Sequence, residues 1–241
     1  MTAFAVGVEP RFYALVPAAG SGSRSGAAIP KQYVSVAGRA MMGHTLDALL
    51  AVPELDAVLV VLSPQDDCFE SAVPQFQGAR AWVARCGGAS RAESVAQGLR
   101  ELQARGAQPH DWVLVHDAAR CLLQPAWVQQ LMAQCRDDEV GGLLATPVAD
   151  TLKQAQGQRA VATVDRANKW AAQTPQMFRW GLLMAALAPV LQGEAAHITD
   201  EASAVEALGH TPRLVEAPFE NFKLTYPADF ALAERLLRSR A

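Results

Sequence analysis

The chain has 241 residues, 51% hydrophobic and 19% charged, which suits a large globular core and excludes a disordered or fibrous protein. A formal net charge of −3 argues against nucleic acid or an anionic membrane as the main partner, so any positive charge that matters must be local. Cys68, Cys86, Cys121 and Cys135 contain no Cys-x-x-Cys pair and no histidines stand at metal-ligand spacing, so reduced thiols in a cytoplasmic protein are expected.

Met1 to Pro10 lacks a basic leader, and Gly7 and Glu9 break its apolar patch, so no signal peptide is expected there. No apolar run approaches membrane-spanning length. The continuous apolar runs Phe12–Val16, Ala57–Leu62, Ala81–Val83 and Trp112–Val115 predict strands buried on both faces, as in a parallel sheet. Between them, Met41, Met42, Thr45, Leu46, Leu49 and Leu50 share one helical face. Val95, Leu99 and Leu102 share another, on a helix opening near Ser90. Trp127, Leu131 and Met132 mark a third helix after Pro125. This alternation predicts an α/β fold with a doubly wound, mostly parallel, Rossmann-like sheet.

The rhythm breaks after the run from Val140 to Pro147. Residues from about 148 to 170 are polar, and two short strand-like pieces, Thr151–Gln154 and Ala160–Val164, flank Gly157. A projecting hairpin is expected, and one so polar needs support, such as a second subunit. Helical patterns return at Gly181–Leu191, Thr199–Leu208 and Asp229–Leu237, with strands expected at Arg213–Ala217 and Asn221–Thr225.

The first strand runs into a small-residue loop carrying Gly20, Gly22, Arg24 and Gly26, followed by Lys31. Glycines let backbone N–H groups approach a ligand closely, and the two cations add fixed charge, a combination suited to the phosphates of a nucleoside triphosphate. It is not a P-loop, because no Gly-Lys-Ser/Thr occurs. The dinucleotide fingerprint fails as well: Ser25 stands where the third glycine belongs, and the second strand ends in Ser63-Pro64 rather than an acidic residue. The alternative is a surface loop with incidental charge.

Open α/β sheets bind ligands beyond the carboxyl ends of their strands. Those positions hold Gly87-Gly88-Ala-Ser90-Arg91-Ala-Glu-Ser94, His116-Asp117-Ala-Ala-Arg120 and Thr146-Pro147. Each has a bland alternative. The glycine pair with Ser90 suits a turn and helix cap, Asp117 could pair with Arg120, and Thr199-Asp200-Glu201 suits a cap with an acidic first turn. His116 reads as a satisfied core histidine. Lys223, inside an expected apolar strand, would be costly to bury without an anion.

Pro17-Ala-Ala-Gly-Ser-Gly-x-Arg24 with Pro30-Lys31-Gln-Tyr resembles the signature of nucleotidyltransferases that make nucleoside-diphosphate polyols and sugars. Val115-His-Asp-Ala-Ala-Arg120, Asp165-Arg166, Gln173-Thr-Pro-Gln176, Ile198-Thr-Asp-Glu-Ala-Ser203 and Asn221-Phe-Lys223 narrow the resemblance to the 2-C-methyl-D-erythritol 4-phosphate cytidylyltransferases of isoprenoid precursor biosynthesis. The motifs run in order from about Tyr13 to Leu236, which implies one nucleotidyltransferase domain over residues 1–241.

The resemblance implies roles. Arg24 and Lys31 would hold the triphosphate and neutralise the transition state, and Arg166 and Lys223 complete the catalytic set. Pro17, Ala18, Ala19, Gly20, Gly22, Gly88, Ser94, Asp117 and Ala118 would bind CTP. Asp117, Arg120, Thr151, Arg166, Thr199 and Lys223 would bind the polyol phosphate. Thr151 and Arg166 would come from the partner subunit's arm in a homodimer. Mg²⁺ is the implied cofactor, held mainly by phosphate oxygens with Asp117 nearby. Two positions depart from the family pattern: Cys121 replaces a usual proline and Ala89 a frequent aspartate. The attacking phosphate monoester, with a second pKa of about 6, is already ionised, so no general base is required. The nearest rival is a ribitol-5-phosphate cytidylyltransferase. A non-catalytic nucleotide-binding module would have no need of Lys223 and Arg166.

Overall fold

A computed structural model describes residues 9–20, 29–193 and 198–240. Strand β1 (Phe12–Pro17) lies between β4 (Ala57–Val61) and β6 (Trp112–Val115), parallel to both, with β5 (Ala81–Ala84) outside β4. Every residue of β4 and β6 is buried, as their unbroken apolar sequence requires when helices cover both faces of a sheet. On one face lie α1 (Met41–Leu50) and α4 (Pro125–Cys135). On the other lie α3 (Arg91–Ala104), α5 (Trp180–Leu191) and α6 (Glu201–Ala207). A short hairpin, β2 (Ser35–Val36) and β3 (Arg39–Ala40), precedes α1, and a single helical turn, α2 (Phe69–Ala72), precedes β5.

On the far side of β6 the sheet continues through β10 (Trp170–Arg179), β7 (Gly141–Pro147) and β11 (Arg213–Glu216). β10 is antiparallel to both β6 and β7, and β11 returns parallel to β7. The result is a seven-stranded, mostly parallel sheet among the described residues. The antiparallel strand falls on a segment whose polar residues and Pro175 disguise it, since a proline within a run argues against an interior strand. Its pairing with β7 is interrupted between Ala172 and Gln176, where Gln173 and Thr174 are buried and bonded to side chains instead.

The expected hairpin is present as β8 (Leu152–Gln156) and β9 (Arg159–Val164), turning at Gly157 with φ +58°. The two strands pair only with each other, and β9 is exposed along its whole length. The expected strand Asn221–Thr225 does not form. A 3-10 turn at Phe219–Asn221 leads into irregular chain held by particular groups. The buried Asn221 amide donates to Gln173 Oε1 and the Thr174 carbonyl, both at 2.8 Å, and the Leu224 N–H donates to the Ala119 carbonyl. Lys223 is therefore not a buried strand lysine: its side chain is 45% exposed. Helix α7 (Pro227–Ser239) closes a small third cluster around Val36, Cys121, Leu122 and Leu224.

Helix α3 lies so close to the sheet that a β-carbon at Gly98 would stand 2.7 Å from Leu15 Cδ1 and 2.8 Å from Val61 Cγ2. Gly98→Val should cost about 1–3 kcal/mol by overpacking, lowering the thermal midpoint by roughly 2–4 °C per kcal/mol in a domain of this size. An unchanged midpoint would show that α3 can move off the sheet freely.

Candidate functional site

Three strand ends and one irregular segment converge beyond the carboxyl edge of β1, β5 and β6. The chain leaving β1 is pinned by the Ala18 N–H, which donates to the Val61 carbonyl at 2.8 Å. The Gln32 amide in turn donates to the Ala18 carbonyl at 2.9 Å. Lys31 donates through Nζ to the Leu224 carbonyl, tying the first loop to the segment that carries Lys223. After β5, the Gly87 N–H donates to the Leu62 carbonyl, and a β-carbon at Gly87 would lie 2.2 Å from Ala19 Cβ. Only glycine permits this contact between the two loops. Ser90 caps α3 by accepting from the Glu93 N–H, while the Ser94 hydroxyl accepts from the Gly88 N–H at 3.1 Å.

Asp117 follows β6 and is almost wholly buried. Its Oδ1 accepts from Arg91 Nε at 2.8 Å, its Oδ2 pairs with Lys223 Nζ at 2.9 Å, and Arg120 Nε stands 3.8 Å away. The pairing of Asp117 with Arg120 considered from sequence is thus the weakest of three. Arg120 instead donates to the Asn221 carbonyl at 2.6 Å. Burial alone would raise the Asp117 pKa, but Arg91, Lys223 and Arg120 together hold the carboxyl well below the ordinary range. Glu201 grips the remaining face of Arg91 with two bonds of 2.7 and 3.0 Å. Burial works against the Arg91 charge, and the Glu201 and Asp117 carboxylates overcome it, raising its pKa above the ordinary value.

His116 is the core histidine expected. The Asp117 N–H donates to Thr174 Oγ1 at 3.0 Å, so the Thr174 proton points to His116 Nδ1, also at 3.0 Å, and His116 Nε2–H donates to the Arg120 carbonyl. Burial lowers its pKa to about 4.

A cavity of about 610 Å³ opens among these groups. Pro17, Ala18, Ala19, Gly20 and Lys31 line it from the first loop. Gly88, Ser94, Asp117, Ala118 and Lys223 close the other sides. A smaller cavity of about 160 Å³ adjoins it, lined by Arg120, Thr174, Gln176 and Thr199 and sharing Arg91, Asp117 and Lys223 with its neighbour. Beside Thr199, Asp200 caps α6 in a reciprocal box with Ser203, so that cap reading holds. Thr151 and Arg166 lie on the hairpin and its return and line neither cavity. Gly22 and Arg24 fall outside the described residues.

Sequence reasoning placed Arg91 and Glu201 in candidate segments but gave neither a role in the site. A signal was available: Arg91 is the first residue of α3, where the helix dipole disfavours a cation, so something other than the helix must hold it there. Glu201 was hidden by its suitability for an acidic first turn.

Because folded His116 remains neutral down to about pH 4 while an unfolded histidine protonates near 6.5, His116 leaves stability level above pH 6.5 and lowers it as pH falls from 6.5 to 4. Urea unfolding across this range should show a slope of up to about 1.4 kcal/mol per pH unit from this group. His116→Gln should flatten it, leaving the decline below about pH 3.8 that follows from loss of the Asp117 charge. A slope unchanged in the variant would place the proton uptake elsewhere.

The family model for 2-C-methyl-D-erythritol 4-phosphate cytidylyltransferase matches residues 12–239. A protein of that name from Burkholderia cenocepacia is 53% identical over 232 residues, covering 95% of this chain and 97% of the relative. A bifunctional IspD/IspF enzyme from Albidiferax ferrireducens is also 53% identical over 232 residues, but this chain, 96% of which is aligned, spans only 54% of its length. Among solved structures, a 4-diphosphocytidyl-2C-methyl-D-erythritol synthase superposes with a TM-score of 0.84 at 40% identity, covering 96% of this chain and 100% of the other. With its first-loop, Asp117 and Lys223 motifs gathered around one cavity, the chain belongs to the 2-C-methyl-D-erythritol 4-phosphate cytidylyltransferase family.

Proposed function

We propose that the chain transfers the cytidylyl group of CTP to 2-C-methyl-D-erythritol 4-phosphate, releasing pyrophosphate and forming 4-diphosphocytidyl-2-C-methyl-D-erythritol for isoprenoid biosynthesis. The observation that carries this reading is the pair of adjoining cavities that share Arg91, Asp117 and Lys223. The larger, lined by backbone at Gly20 and Gly88, suits a nucleotide; the smaller, with polar walls, suits a polyol phosphate. Arg120 lines the smaller cavity, and its Nε, 3.8 Å from Asp117 Oδ2, adds positive charge on the side where a phosphate monoester would sit. The family match favours methylerythritol phosphate over ribitol 5-phosphate as the acceptor.

In the reaction an ionised monoester oxygen attacks the α-phosphorus of CTP. The new O–P bond forms in line as the bond to the β-phosphate oxygen breaks, and no proton needs removal. The protein's task is to neutralise two anions and hold them in line. Lys223 orients the monoester, Lys31 and Arg24 meet the triphosphate, and Arg120 and Thr199 bind the polyol-phosphate side. Among the described residues no cluster of three or more His, Cys, Asp or Glu side chains could cage a metal. Substrate phosphate oxygens would be the main Mg²⁺ donors, with the Asp117 carboxylate nearby, its two oxygens already paired with Arg91 and Lys223. Mg²⁺ bound there would neutralise triphosphate charge.

The strands of the arm, β8 and β9, pair only with each other, and Thr151 and Arg166 line neither cavity of their own chain. Exposed Val161 and Val164 give the arm apolar surface to cover. In our reading it crosses to a second copy in a homodimer and delivers Arg166 there. Four unpaired cysteines are in keeping with a cytoplasmic enzyme. Among the described residues, no helix is long and apolar enough to cross a membrane.

Pyrophosphate release, followed with CTP, UTP, GTP and ATP against methylerythritol phosphate and ribitol 5-phosphate, tests the substrate assignment. Turnover should be confined to CTP with methylerythritol phosphate and should stop on chelation of divalent cations. Lys223→Ala should lower kcat by about 10²–10³, the usual loss for one preorganised stabilising group. A change in KM alone would reduce Lys223 to ground-state binding.

Mixing Lys31→Ala with Arg166→Ala after subunit exchange tests the arm. If Arg166 acts in trans, half of the dimers become mixed and each has one intact site, so activity returns to about a quarter of wild type. No recovery despite proven exchange would place Arg166 in its own chain's site.

A further inference from the structure

We propose that Glu201 and Arg91 form a grip whose task is to position Asp117 and, through it, Lys223 at the junction of the two cavities. Neither residue has a role in the reaction outlined above, yet they form a two-bond ion pair that also touches Asp117. Glu201 is 1% exposed and spends both carboxylate oxygens on one guanidinium. Burying a carboxylate there is costly unless it is paired with good geometry, and a bidentate fork supplies that geometry.

Arg91 transmits the constraint. Its fork fixes the guanidinium plane against Glu201, and Nε then presents a single N–H to Asp117 Oδ1 at 2.8 Å. The other oxygen, Oδ2, is thereby aimed at Lys223 Nζ, 2.9 Å away. Lys223 has no regular secondary structure to hold it and its side chain is 45% exposed, so the Asp117 carboxylate is what gives the ammonium a defined place. The chain of contacts runs from the first turn of α6 to the first turn of α3, then to the end of β6 and on to the irregular segment after Asn221. Glu201 thus acts through Arg91 and Asp117 as a positioning residue.

Three of the five guanidinium N–H groups of Arg91 are committed to these two carboxylates. Lysine could not replace it, having no planar fork to satisfy Glu201 while meeting Asp117 from the side.

The grip itself is independent of substrate identity, whereas its effect on turnover rests on the cytidylyl-transfer reading, so the test has two arms. The sequence contains four lysines, Lys31, Lys153, Lys169 and Lys223. Reductive ¹³C-methylation therefore gives a short NMR spectrum, assignable by single Lys→Arg substitutions. The Lys223 signal should move in both Glu201→Gln and Arg91→Gln, while that of Lys153, paired with Thr163 on the arm, stays in place. In the kinetic arm, Glu201→Gln should lower kcat at least about tenfold with KM for CTP changed less than about threefold, a split that a purely structural role would not produce. The double variant should fall no further than the worse single, because both substitutions break the same connection. An unmoved Lys223 signal in both variants, or losses that multiply in the double, would overturn the proposal. A wild-type protein that releases no pyrophosphate from CTP and methylerythritol phosphate would defeat the functional reading, with the Lys223 signal still deciding the grip.

Discussion

The buried carboxylate of Asp117 is shared by cations from three different parts of the chain: Arg91 from α3, Arg120 from the loop after β6, and Lys223 from the irregular segment before α7. A charge in that position is tolerated only because its partners compensate the loss of water, and removal of one partner from a buried pair typically costs about 3–5 kcal/mol. The carboxylate therefore serves as a junction. It obliges the three segments to meet at one point, and that point is the wall between the two cavities.

The sheet makes this meeting possible. Parallel strands β1, β5 and β6 present their carboxyl ends on one edge; the β1 and β6 loops are neighbours, and the β5 loop crosses the end of β4, where the Gly87 N–H donates to the Leu62 carbonyl. The antiparallel β10 then carries Thr174 past the start of the Asp117 loop. The Thr174 hydroxyl accepts from the Asp117 N–H and donates to His116 Nδ1. Asn221 binds the same irregular stretch of β10 from the other side. Backbone and side chain of the Asp117 loop are thus fixed by separate means.

How much of this was legible in the sequence varied with the physics at each place. Apolar runs such as Ala57–Val61 announce buried parallel strands because both faces must be hydrophobic. The arm was legible for the converse reason, being too polar to bury itself. β10 was hidden because its inward groups include Gln173, Thr174 and Gln176, whose burial is satisfied by side-chain hydrogen bonds that no periodicity reveals. Lys223 was assigned to a strand because its neighbours are apolar, whereas Asn221 and Leu224 anchor the backbone there individually. In the site, motifs identified Asp117 and Lys31, but the Arg91–Glu201 contact joins residues 110 positions apart and has no local signature.

The contact between Gly87 and Ala19 has a consequence for how this protein can change. A substituent on the first residue would occupy the space of the second's methyl group, 2.2 Å from it, although 68 positions separate them in the chain. The loops after β1 and β5 are therefore a matched pair in shape. Drift in either is confined to what the other's backbone leaves open. A designer remodelling either loop would have to transplant both together, since a graft of one alone would meet the resident half of the pair.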